Sequence, residues 1–125
     1  MKFKTFMTIY ALVSIMFGLG FVFVPGLVLS IYGVETDIAF RYIGQLFGAA
    51  LVSLAALAWS FRNAGASEVR QTSVLSLLIG EVIGFVLALI GQLTGALNAF
   101  GWSVVAVYLL LSIGLAYYYF AKPVS

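Results

Sequence analysis

No cysteine and no histidine occurs anywhere in the 125 residues. The first absence excludes disulfides, thiolate catalysis, thiol redox relays and cysteine-held metal clusters. The second excludes imidazole haem ligation, most zinc sites and the commonest general base. Charge is scarce too: six Lys/Arg and four Asp/Glu make 8% of the chain, against roughly 25% in soluble domains. The net of +2 is spread over cations at segment ends, so no nucleic-acid partner is expected. No metal site and no cofactor is expected either.

What fills the chain instead is apolar. Hydrophobic residues reach 64%, more than a soluble domain of this length can hide, because most of a small domain's surface must be wetted. The expectation is an integral membrane protein forming one domain over residues 1–125, with the lipid bilayer as its first partner.

A membrane helix needs about 20 mostly apolar residues, and four stretches qualify: about 6–24, 38–61, 72–93 and 102–120. The pair Pro25-Gly26 stops the first. Asp37 precedes the second as a start signal, and Pro123 follows the fourth as a stop. Apolar residues surround each segment, so length rather than periodicity decides for helix. Strands of a membrane barrel would alternate, and none does. The first run is too long for a signal peptide and has no small-x-small cleavage site before Pro25, so it is expected to be retained.

Orientation follows from the cations. Lys2, Lys4, Arg62, Arg70 and Lys122 fall on one side of the expected spans, and Glu35 and Asp37 on the other. Both termini are therefore expected in the cytoplasm. Trp59 and Tyr117-Tyr118-Tyr119 suit the inner boundary, and Trp102 the outer. Short connections make consecutive spans antiparallel neighbours. The expected fold is an all-α, up-down antiparallel bundle of four transmembrane helices.

Lipid tails are as apolar as leucine, so close packing must join the helices. Gly44 and Gly48 on the second span, and Ser76, Gly80, Gly84, Ala88, Gly91 and Gly95 on the third, offer small faces at helical spacing. Span one adds Ser14 and Gly18. The third span is read as the central packing element, through contacts within the bundle or as a seam between copies. A short echo, Ile43-Gly44-Gln45-Leu46-Phe47-Gly48-Ala49 and Ile90-Gly91-Gln92-Leu93-Thr94-Gly95-Ala96, joins spans of opposite direction and is read as coincidence rather than a repeat.

Ionisable residues inside a span are costly, and each is a functional candidate. Glu81 lies near mid-span. Arg41 lies in the first turn of span two, where it can snorkel outwards and pair with Asp37, four residues earlier. Gln45 and Gln92 add polar groups towards the outer side. The candidate proton, cation or ligand site is therefore Glu81, Arg41, Gln45 and Gln92, with an Arg41–Gln45–Glu81 relay as one arrangement. The bland reading gives Glu81 a hydrogen bond to a neighbouring helix. No base accompanies any serine and no carboxylates pair, so no catalytic residue is identified and no enzyme is expected.

The stretch Val24-Pro25-Gly26-Leu27-Val28-Leu29-Ser30-Ile31-Tyr32-Gly33, then Arg41-Tyr42-Ile43-Gly44 and Ala58-Trp59-Ser60-Phe61-Arg62-Asn63, resembles the small four-helix bacterial membrane proteins of the DoxX-like group and neighbouring families of unknown function. That resemblance covers the first half of the chain. It implies a four-helix fold in a bacterial plasma (inner) membrane and carries over no site residue. The expected role is a non-enzymatic membrane protein that self-associates or serves as an accessory subunit of a larger membrane complex through its glycine-rich faces. The alternative is a small proton- or cation-linked transporter or channel using Glu81.

Overall fold

The computed structural model describes residues 1–121. Lys122 and Pro123, expected as a topological cation and a helix stop, lie outside the described residues. The described residues are helical, with five α-helices and one short 3-10 turn: α1 (Phe3–Phe23), α2 (Pro25–Ile31), α3 (Ile38–Phe61), α4 (Glu68–Leu93), the turn Ala99–Gly101, and α5 (Trp102–Phe120). Four of these helices, with the 3-10 turn counted into the last, are long and apolar enough to cross a membrane, as a multi-pass membrane protein requires. Their ends follow the expected spans except that α1 begins at Phe3 rather than about residue 6 and α4 at Glu68 rather than about residue 72.

The third span starts a turn earlier than its apolar run. Ser67 accepts a hydrogen bond from the Arg70 amide at 3.1 Å and so caps α4 at Glu68. A glutamate in the first turn also suits the positive end of the helix dipole.

Pro25 both ends one helix and begins another. α1 closes with Val24 N–H on the Gly20 carbonyl at 2.8 Å, and Pro25 opens α2. Its fixed φ suits a first helical position, where the missing N–H costs nothing. α2 is seven residues long, and Gly33, two residues past its end, has φ +78°. The Val34 amide reaches back to Leu29 O at 3.0 Å and Gly33 N to Ser30 O at 3.0 Å, which is a Schellman ending. Asp37 then caps α3 by accepting from Phe40 N at 2.8 Å.

The chain divides into two compact units, Met1–Asn63 and the part from Ala64 onward. In the first, α1 packs along α3. Phe3 meets Phe61 with ring centroids 6.2 Å apart, and Phe21 meets Phe47 edge-on at 5.3 Å, so the two helices run antiparallel. Their closest approach is glycine on glycine: a Cβ placed on Gly48 would stand 2.7 Å from Gly18 O and 2.9 Å from Val22 N.

In the second unit α4 and α5 also run antiparallel. Gln71 near the start of α4 donates to Tyr119 O near the end of α5 at 3.1 Å. The buried and half-buried residues Val74, Leu77, Glu81, Gly84 and Ala88 on α4 follow a three-four spacing, as do Val105, Tyr108, Ser112 and Leu115 on α5. That spacing keeps one seam facing a partner helix. Around both hairpins, large apolar side chains such as Met16, Leu46, Ile83, Leu87 and Leu110 are exposed, as lipid-facing surfaces require.

Candidate functional site

Glu81 stands at the midpoint of α4, thirteen residues after Glu68, which is roughly 20 Å along the helix. It is 8% exposed. One turn on, Gly84 lies under the ring of Tyr108 from α5, so close that any side chain at Gly84 would collide with it. The missing side chain is what lets the bulky phenol cross the seam at this level. Tyr108 is within electrostatic range of Glu81. Ser112 follows Tyr108 by one turn on the same face; it is buried, and its Oγ makes no hydrogen bond. A carboxyl, a phenol and a hydroxyl thus share the middle of one seam. Such a group can hold or exchange a proton, or offer oxygen atoms to a cation.

Sequence reasoning found Glu81 but not Tyr108 or Ser112. The usable signal was the Tyr-x-x-x-Ser spacing in the middle of the fourth span, hidden by seven tyrosines in the chain.

The other expected site residues are engaged elsewhere. Arg41 lays its stem across Gly26, and its Nη1 points to Thr36 O at 3.5 Å. The expected Asp37–Arg41 pair is not formed among the described residues; Asp37 accepts from the Phe40 amide as helix cap while the Arg41 guanidinium is directed to the Thr36 carbonyl. Gln45 donates from Nε2 to Val22 O at 3.0 Å. Gln92 donates from Nε2 to Asn98 O at 2.9 Å. Gln92 is eleven residues beyond Glu81, roughly 16 Å along the axis, so those two share a face without converging. Arg41 and Gln45 belong to the first unit, Glu81 and Gln92 to the second.

Two of the three glutamines do the same job. Gln45 and Gln71 each donate to a backbone carbonyl in the last turn of the helix packed beside them, Val22 and Tyr119. Gln92 instead donates to Asn98 O in the connection after α4, a carbonyl that also accepts from Gly101 N. Carbonyls of a last turn lack a partner within their own helix, and hydrocarbon supplies none. Gln45 and Gln71 act as staples from one helix to the terminus beside it.

The expected packing glycines divide similarly. Gly48 is in tight backbone contact, and Gly44 makes ordinary contact with Phe21 and Pro25 at 3.5 Å. Gly84 accommodates Tyr108, and Ala88 is half-buried in the same seam. Gly91 and Gly95 serve a turn: Gly95 has φ +81°, and Ala96 N bonds to Gly91 O at 2.9 Å, a second Schellman ending. Gly80 is exposed, and a Cβ there would meet nothing within 4 Å. The backbone-on-backbone contact therefore lies between α1 and α3, whereas on the α4 ladder Gly84 meets a side-chain ring. Among the described residues no group of three Asp/Glu gathers to hold a metal.

No protein-family model, no curated protein and no solved structure matches this chain significantly.

Proposed function

We propose that this chain is a small, non-enzymatic integral membrane protein that works by helix-to-helix packing, associating with a second copy of itself or with a larger membrane complex. The observation that carries the reading is the open small face of α4. Ser76 and Gly80 are exposed one turn apart, and nothing within 4 Å would oppose a side chain at Gly80. Exposed Ile79, Ile83 and Leu87 flank it. Small residues at this spacing let two backbones approach closely, which is how membrane helices associate. In this reading the four spans form one up-down bundle in a bacterial plasma membrane with both termini in the cytoplasm. Lys2, Lys4, Arg62 and Arg70 support that orientation.

Because the chain has no cysteine, one introduced thiol reports the seam directly. Gly80→Cys and Ser76→Cys, oxidised in the native membrane, are expected to form cross-linked species, and Ile113→Cys on α5 is not. Native mass spectrometry then names the partner as a second copy or a foreign subunit. Uncross-linked thiols together with a lone monomer overturn the reading.

A second reading rests on the mid-span trio. Glu81, with Tyr108 in electrostatic range and Ser112 one turn from it, is suited to a proton- or cation-linked transporter. Proteoliposomes containing the protein are then expected to show a pH-dependent flux that Glu81→Gln abolishes. Flux that is unchanged in that variant rejects this role for Glu81.

A further inference from the structure

Three cations gather at one end of the α1–α3 hairpin. Lys2 caps α1, Lys4 lies in its first turn, and Arg62 caps the end of α3. The Phe3–Phe61 ring contact at 6.2 Å fixes those two chain ends at one level. Among the described residues of this unit no carboxylate balances them there. The acidic residues of this unit, Glu35 and Asp37, precede α3 at the hairpin's other end. Both lysines are exposed, and neither ammonium makes an ion pair or side-chain hydrogen bond among the described residues. α1 has no acidic residue in its first turn, and the negative dipole end of α3 beside it is met by Arg62, whose Nη1 donates to the Trp59 carbonyl. Like charges so grouped favour an anion.

Arg62 is held ready for one. Its guanidinium carbon sits 3.7 Å from the centroid of the Trp59 ring, and its Nη1 donates to the Trp59 carbonyl. Stacking fixes the plane of the fork and leaves its other N–H groups available. A fixed, planar fork matches the oxygens of a phosphate. Trp59 itself is 48% exposed, and tryptophan settles at the headgroup level of a bilayer, where its body is apolar and its edge wet.

We propose that Lys2, Lys4 and Arg62, with Trp59 as the platform under the guanidinium, form a binding site for the headgroup of an anionic phospholipid. Arg62 grips the phosphate, and the two lysines supply the charge that selects an anionic headgroup over a zwitterionic one. The site lies on the α1–α3 hairpin, apart from the α4 face of the association reading, and stands or falls independently of it.

The test uses the full chain in phosphatidylcholine bilayers doped with phosphatidylglycerol, with the retained lipid counted by native mass spectrometry. Phosphatidylglycerol is expected to be retained in excess over its share of the bilayer. Joint substitution of Lys2→Gln, Lys4→Gln and Arg62→Gln should remove the excess, at about fivefold in affinity per cation. Arg41→Gln, at the opposite end, should leave it intact. Equal retention of the two lipids by the natural chain, or undiminished phosphatidylglycerol on the triple variant, overturns the proposal. If the triple variant does not fold, salt decides. Phosphatidylglycerol excess on the natural chain should fall as sodium chloride is raised, because screening weakens exposed charge pairs, and an excess indifferent to salt overturns the proposal.

Discussion

Gly48 of α3 faces the backbone of Gly18 in α1 with no room for a side chain between them. A Cβ on Gly48 would sit 2.7 Å from Gly18 O, and one on Gly18 would sit 3.0 Å from Val52 N. The obstacles at Gly48 are the main-chain atoms Gly18 O and Val22 N and the Cβ of Phe21, none of which can swing aside as a side-chain tip can. Gly48→Ala is therefore expected to force α1 and α3 apart, costing about 1–3 kcal/mol as overpacking does. Gly44→Ala, with 3.5 Å to its nearest neighbours, should be well tolerated. Unfolding titrations of the two variants in detergent would distinguish them, and equal stabilities would show that the Gly18–Gly48 contact is looser than described.

Gly84 and Tyr108 make a different kind of pair, since the obstacle to a side chain is a ring that can be replaced. Gly84→Ala alone is expected to destabilise the α4–α5 hairpin. Adding Tyr108→Leu should recover part of the loss, giving a coupling of about 0.5–3 kcal/mol in a double-mutant cycle. Strictly additive effects would place the ring elsewhere.

Gly80 is the contrasting position. Nothing opposes a Cβ there, and alanine is favoured over glycine inside a helix by roughly 0.5–1 kcal/mol. Gly80→Ala should hold or raise the stability of the chain, whereas Gly80→Leu should weaken association without unfolding the monomer. Analytical ultracentrifugation in detergent, beside a thermal melt, checks both halves of the expectation.

Gln45 holds the Val22 carbonyl at 3.0 Å. Gln45→Leu removes the donor and keeps the size, so the expected loss is about 1 kcal/mol, the usual scale of such bonds between membrane helices. The matching readout is local: hydrogen exchange should quicken at the end of α1 around Val22 to Val24. Unchanged exchange there would mean that the carbonyl finds another donor.

Glu81 is buried at the middle of α4. Glu81→Gln keeps the shape and is expected to fold. Glu81→Lys sets a long cation at mid-span, with an insertion penalty of about 2.5–3.5 kcal/mol on translocon scales, and should lower membrane yield or disturb assembly. A lysine variant made in normal yield and normal oligomeric state would show that the position is wetted.

Much of this architecture could be read directly from the residues. The second span was expected at 38–61 and is α3, Ile38–Phe61; the fourth was expected at 102–120 and is α5, Trp102–Phe120. Asp37 was expected to start α3 and does cap it. Such features are local: a run of apolar residues long enough to cross hydrocarbon, closed by a side chain able to bond the first free amides. α2 was not legible, because Pro25-Gly26 reads as a stop and only the arrangement around Pro25 shows that it also begins a helix. Tyr108 and Ser112 were missed since nothing in a single span says which residue of another span faces it.

The echoed heptapeptide shows where local reading ends. Ile43 to Ala49 lies wholly within α3, while Ile90 to Ala96 runs out of α4 through a left-handed Gly95 into a turn. Six of seven residues agree, so the difference comes from what surrounds them. One copy has the Gly18 backbone against its second glycine; the other is closed by Gln92 on the Asn98 carbonyl. By itself the sequence determined the number of the spans, the bounds of α3 and α5 and the Asp37 cap, because hydropathy and capping act within a few turns of one chain segment. Only the tertiary structure decided which face of each helix is inside. A helix that is apolar all round, among lipid tails as apolar as itself, has no hydrophobic preference for one rotation over another. Shape settles it, through Gly48 on Gly18, Tyr108 over Gly84, and Gln45 and Gln71, which find last-turn carbonyls of the helix packed beside them.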